Sequence, residues 1–180
     1  MDRSTLARLR HAARHEAAHA VTAARLGLPL KYTHIVEHMD RGGRTRLLRE
    51  ATAANLEAHA TVAAAGVVAE GDRRVRFWEV PFTAPSAHDI GVLVLVAQRL
   101  GIVGPDGHYL DGPEDDQAFW PWASAARRRA RAVLRRDGGA AWRRVTAALL
   151  REHRLSGAMV QALVSPAAAG RGFSPHRRGR

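Results

Sequence analysis

His15-Glu16-Ala17-Ala18-His19-Ala20-Val21 lies inside a run, residues 6–26, rich in alanine, leucine and arginine and followed by Gly27 and Pro29. Such a run predicts a helix with a defined stop. On a helix, residues four apart share a face, so the imidazoles of His15 and His19 would address one ion, and Glu16 would reach a water beside it. That spacing points to zinc peptidase chemistry. His11 stands one turn earlier on the same face. A straight helix cannot curl three successive turns around one small ion, so His11 is expected outside the ligand set.

Outward from the motif, residues 31–37 alternate and contain Tyr32, Thr33, Ile35 and Val36, and Asp40-Arg41-Gly42-Gly43 then supplies turn residues before residues 44–48. This predicts a short hairpin, serving either as an edge for a substrate strand or as a cover for the core. Residues 52–70 form a second alanine-rich segment ended by Gly71, and Ala64-Ala65-Gly66 within it would let a neighbouring helix come close. A loop is expected over residues 71–85. Ser86 then reads as the N-cap of a helix at 87–100, with Asp89 as the acidic member of a capping box. After a loop at 101–113, helices are expected at 114–136 with an interruption near Pro121, at 140–153 and at 156–164. Residues 166–180, rich in Gly, Pro and Arg, read as a disordered basic tail.

The 180 residues, 46% of them hydrophobic, suit one domain, residues 1–165, with a real core. Aromatic residues are only 6%, which favours close-packed helices over a sandwich. The expected fold class is therefore mainly α, a helical domain with a small β-hairpin near the metal site. Cysteine is absent, so disulfides and thiolate ligands are excluded and any zinc must be held by His and carboxylate. Residues 1–14 lack the apolar stretch of a secretory signal, and the apolar runs at 60–69 and 90–97 are too short to span a bilayer. A cytoplasmic protein without a membrane partner is the expectation.

Net charge is +11, and Lys31 is the one lysine among 28 basic residues. A balance this basic attracts nucleic acid or acidic proteins. However, Arg127, Arg128, Arg129, Arg131, Arg135 and Arg136 fall around more than one face of their helix, which suits a solvated helix better than a groove reader.

The order of three segments is more specific than any one alone. His15-Glu16-Ala17-Ala18-His19-Ala20, then Ala65-Gly66-Val67-Val68-Ala69-Glu70, then Ser86-Ala87-His88-Asp89-Ile90 resemble the peptidase domain of FtsH-type ATP-dependent zinc metalloproteases. A long helix, residues 142–150 and Leu155-Ser156-Gly157 before a last short helix continue the resemblance, which spans residues 6–164. It implies zinc (Zn2+) held by His15, His19 and Asp89, with Glu16 as general base. Glu70 is the rival third ligand, since many zinc peptidases use a Glu from a downstream helix; the resemblance ranks it second. Two positions depart from the pattern: Ala18 stands for Gly and His88 for Asn. No Gly-x-x-x-x-Gly-Lys-Ser/Thr phosphate loop occurs.

The resemblance thus implies a zinc metalloendopeptidase acting on peptides or unfolded segments, with any ATPase or adaptor on a separate chain. Two readings compete with it: a peptidase-like zinc- or partner-binding module without hydrolysis, and an arginine-rich nucleic-acid binder.

Overall fold

Asp2 starts the first helix, α1 (Arg3–Arg25), where its carboxylate accepts a hydrogen bond from the Thr5 N–H at 2.7 Å. An N-cap of this kind satisfies one of the orphan amides, so the helix begins three residues before the expected start. The computed structural model describes residues 2–36, 43–48, 50–71, 86–104 and 113–165. The turn expected at 40–42, most of the loops at 71–85 and 101–113, and the tail at 166–180 lie outside them.

After α1 come β1 (Leu30–Ile35) and β2 (Gly43–Leu47), paired antiparallel as the hairpin reading expects. A 3-10 turn at Ala53–Asn55 leads into α2 (Leu56–Ala69), followed by α3 (Ser86–Arg99) and α4 (Pro113–Arg135). Then α5 (Ala140–Glu152), β3 (Arg154–Ser156) and α6 (Gly157–Val164) complete the order. The chain is mainly α with a small antiparallel sheet.

Two expectations are corrected. The helix at 114–136 is not interrupted at Pro121, which lies inside a continuous α4. Pro121 and Gln117, whose carbonyl loses its partner, are both exposed, so water can serve that carbonyl. The sheet also has three strands, in the order β2-β1-β3. His153, at φ 55, turns the chain out of α5, and Arg154-Leu155-Ser156 pairs with His34-Thr33-Tyr32.

Helix α2 is central, packed against α1, α3 and α4, while α1 meets α5 on its other side. Ala13, Ala17, Ala18 and Ala20 of α1 and Ala60, Ala64 and Ala65 of α2 are fully buried. Short side chains at a crossing let helix axes approach closely, which brings the backbone of one helix beside the side chains of the other. Ala18 is accommodated in this contact. Among the described residues no helix is long and apolar enough to cross a membrane.

Candidate metal centre

The buried middle of α1 carries His15, Glu16 and His19, each at most 7% exposed. Polar groups so placed must find partners, and each does so on a different element. His19 Nδ1 lies 2.8 Å from the Val62 carbonyl of α2. A carbonyl can only accept, so Nδ1 carries a hydrogen and Nε2 is the nitrogen turned to the group. It faces His15 Nε2 at 3.0 Å.

Asp89 completes the group from the first turn of α3. Its Oδ2 lies 3.2 Å from His15 Nε2 and its Oδ1 3.3 Å from His19 Nε2. Asp89 is only 5% exposed and faces both imidazoles. His15, His19 and Asp89 therefore form one buried group that could hold a metal ion. The spacing suits that use: ligands about 2.0–2.1 Å from a tetrahedral ion stand about 3.3 Å from one another. Asp89 is buried with the two imidazoles as its neighbours, and a carboxylate so placed calls for a positive partner.

Glu70, the rival ligand, sits at the C-terminal end of α2 and stands on the far side of the His15 ring, with Oε1 3.0 Å from Nδ1. It can orient His15 and raise its basicity, as carboxylates behind metal-bound imidazoles do. His11 is half exposed, its Nε2 3.9 Å from Glu70 Oε1, and it stays outside the group as expected.

Asp89 can approach α1 because Gly66 of α2 stands between them without a side chain. A Cβ at that position would crowd Asp89 Oδ2 and lie 2.5 Å from His19 Nε2 and 2.6 Å from His15 Cε1. Gly66, in the stretch expected to admit a neighbouring helix, also leaves room for these three side chains.

Glu16, next to His15, reaches the sheet with one carboxylate oxygen. Thr45 of β2 donates its hydroxyl hydrogen to Glu16 Oε2 at 2.7 Å. That hydroxyl is also 2.9 Å from Thr33 Oγ1, and with its own hydrogen spent on the carboxylate it accepts from Thr33. Thr33 is fully buried. Gly43 lies across the Glu16 stem so closely that a Cβ would stand 2.6 Å from Glu16 Cγ. Neither Thr45 nor Gly66 was identified as a site residue from sequence; a lone Thr between Arg44 and Arg46 and a glycine within a helix were the available signals.

The electrostatics agree with a cation site. Glu16, Glu70 and Asp89 gather here, and among the described residues no Arg or Lys pairs with any of them. Burial pushes the His15 imidazolium down, yet Asp89 and Glu70 outweigh it and raise the pKa to about 10. Burial likewise opposes the Asp89 carboxylate, while the neighbouring histidines hold its carboxyl well below the usual range. Asp89 raises His19 too, against burial, but the facing Nε2 atoms at 3.0 Å have room for one hydrogen between them.

No model of a known protein family matches the chain, and no curated protein is significantly similar to it.

Proposed function

We propose that this chain is a zinc-dependent endopeptidase that hydrolyses peptides or unfolded protein segments, with His15, His19 and Asp89 as ligands and Glu16 as general base. The observation that carries the reading is the buried Asp89 carboxylate, which meets both imidazoles at 3.2 and 3.3 Å. Two imidazoles favour zinc over magnesium or calcium, and three protein ligands are the number used at catalytic rather than structural zinc. A zinc ion held there would act as a Lewis acid, bringing the pKa of a water towards neutrality and polarising a carbonyl.

The chain's own groups divide the remaining work. Thr45 engages Glu16 Oε2, which leaves Oε1 to take a proton from the attacking water as its oxygen bonds to the scissile carbonyl carbon. Glu16 then returns that proton to the amine nitrogen as the C–N bond breaks. Val62 and Glu70 hold the two imidazoles by their Nδ1 sides. The ordered motifs resembling FtsH-type peptidases support the same assignment. The substrates that fit such a site are peptides or segments already unfolded, whether free or presented by an ATPase or adaptor.

The test uses protein purified without a metal-affinity tag. About one zinc per chain is expected, with cleavage of unfolded protein that Glu16→Gln lowers by roughly 10²–10⁴-fold while zinc is retained. Zinc far below one per chain and unrestored by added metal, or cleavage that survives Glu16→Gln, contradicts the proposal. Zinc bound without any hydrolysis favours the binding-module reading.

A further inference from the structure

Resting on the peptidase reading above, we propose that the β2 edge and its two arginines select acidic polypeptide segments as substrates. The strand order β2-β1-β3 leaves one edge of β2 unpaired among the described residues. Thr45, at the middle of β2, touches Glu16 from the inner face. A chain laid along this edge as an added strand therefore passes the proposed general base.

Side chains alternate along a strand, so Arg44 and Arg46, flanking Thr45, belong to the opposite, outer face, and both are exposed. Neither has a carboxylate partner among the described residues, and β1, β2 and β3 contain no Asp or Glu at all. In register, Arg44 and Arg154 stand on either side of His34, so the positive face runs across all three strands. Positions two apart on a strand are about 7 Å apart, and an added strand places its own alternate side chains directly opposite. Arg44 and Arg46 thus match two acidic side chains separated by one residue. A single-stranded nucleic acid would seek the same charge together with aromatic faces to stack on. Here the Arg154 guanidinium already covers the Tyr32 ring, its Cζ 4.4 Å from the centroid. The acidic peptide is the better fit.

The experiment measures binding and cleavage separately. The full chain carrying Glu16→Gln, loaded with zinc, is titrated into two fluorescein-labelled extended peptides that differ only in Asp-Ala-Asp against Asn-Ala-Asn. The acidic peptide should bind roughly 2- to 30-fold more tightly at low salt, a preference that shrinks as salt screens it. Arg44→Gln with Arg46→Gln should bring the ratio close to one, and the Lys pair at the same positions should restore most of it. Equal affinities in the parent chain, a preference that survives the Gln pair, or an oligothymidylate of equal charge that outcompetes the acidic peptide each overturn the proposal. In the first two cases the arginines merely guard an exposed edge against pairing with other chains. Cleavage of the same peptides by the unmutated chain is scored independently. Its absence alongside arginine-dependent acidic binding removes the peptidase reading and keeps the acidic-segment surface.

Discussion

Replacing Gly66 by alanine sets two effects of opposite sign against each other. By helix propensity alone, Gly→Ala inside α2 should stabilise the protein by about 0.8–1.0 kcal/mol. The site predicts the reverse. The new methyl carbon would stand 2.5 Å from His19 Nε2 and 2.6 Å from His15 Cε1, and closer still to Asp89 Oδ2. Non-bonded atoms relax to separations of about 3.5 Å, so these groups must retreat by about 1 Å. Helix α2 cannot yield instead, because buried alanines pack it on α1 and it is also held by α3 and α4. Overpacking of this kind costs about 1–3 kcal/mol. Metal sites tolerate displacements of about 0.2 Å, and loss of a supporting group alone costs 10- to 100-fold in affinity, so a weakening of at least 100-fold is expected.

Thermal unfolding with and without zinc reads both effects. Zinc at about 100 times the dissociation constant should stabilise the parent chain by about 2.7 kcal/mol, and at the same concentration the variant by only about 0.4 kcal/mol. A Gly66→Ala protein that is more stable than the parent and binds zinc within threefold of it would refute the reasoning. Adding Gly66→Ala to Asp89→Ala provides a check, since the closest contact is then gone and the penalty should shrink.

Three further outcomes can be measured. Glu70→Gln keeps a hydrogen-bonding group behind His15 but removes its charge, so zinc affinity should fall roughly 10- to 100-fold in a chelator competition without being abolished. Thr45→Val should keep zinc and lower kcat by roughly 10- to 100-fold with little change in KM, because Glu16 loses the contact that aims it. In the metal-free protein, the raised His15 contributes stability that is complete below its ordinary value of 6.5 and lost as pH rises through about 10. The lowered Asp89 contributes stability present above 3.8 and lost as pH falls through its depressed value. Denaturant titrations of chelator-treated protein should therefore show a plateau between about pH 4 and 6.5, declining on the alkaline side. Zinc added near neutrality should release protons, and a flat profile without proton release would contradict the cluster.

The two histidines were legible because a helical period of 3.6 dictates which residues share a face, and the composition of residues 6–26 left no doubt of a helix. Asp89 was legible only through the order of the motifs. Its local sequence describes a helix cap equally well, and nothing nearby says that α3 packs with its first turn towards α1. The third strand escaped notice because Arg154-Leu155-Ser156 is too short to display a period of two, and its strand state comes from pairing with β1. Thr45 was hidden for a similar reason, since a strand residue meets a helix carboxylate through tertiary packing that no local pattern encodes. Pro121 misled in the opposite direction, because a rule about missing amides does not say whether the freed carbonyl faces water.

The position of α2 between α1 and α3 bears on how the molecule opens. Helix α3 rests on α2 and reaches α1 chiefly through one carboxylate, seventy residues beyond His19 in the chain. A cation at that junction would act as a clasp, charging the entropy of a long closed loop to metal binding rather than to the core. Released from it, α3 becomes the unit whose amides exchange with solvent through local opening, while α1 and α2 wait for global unfolding. Loss of metal would then change not only how stable the protein is but which part of it lets go first.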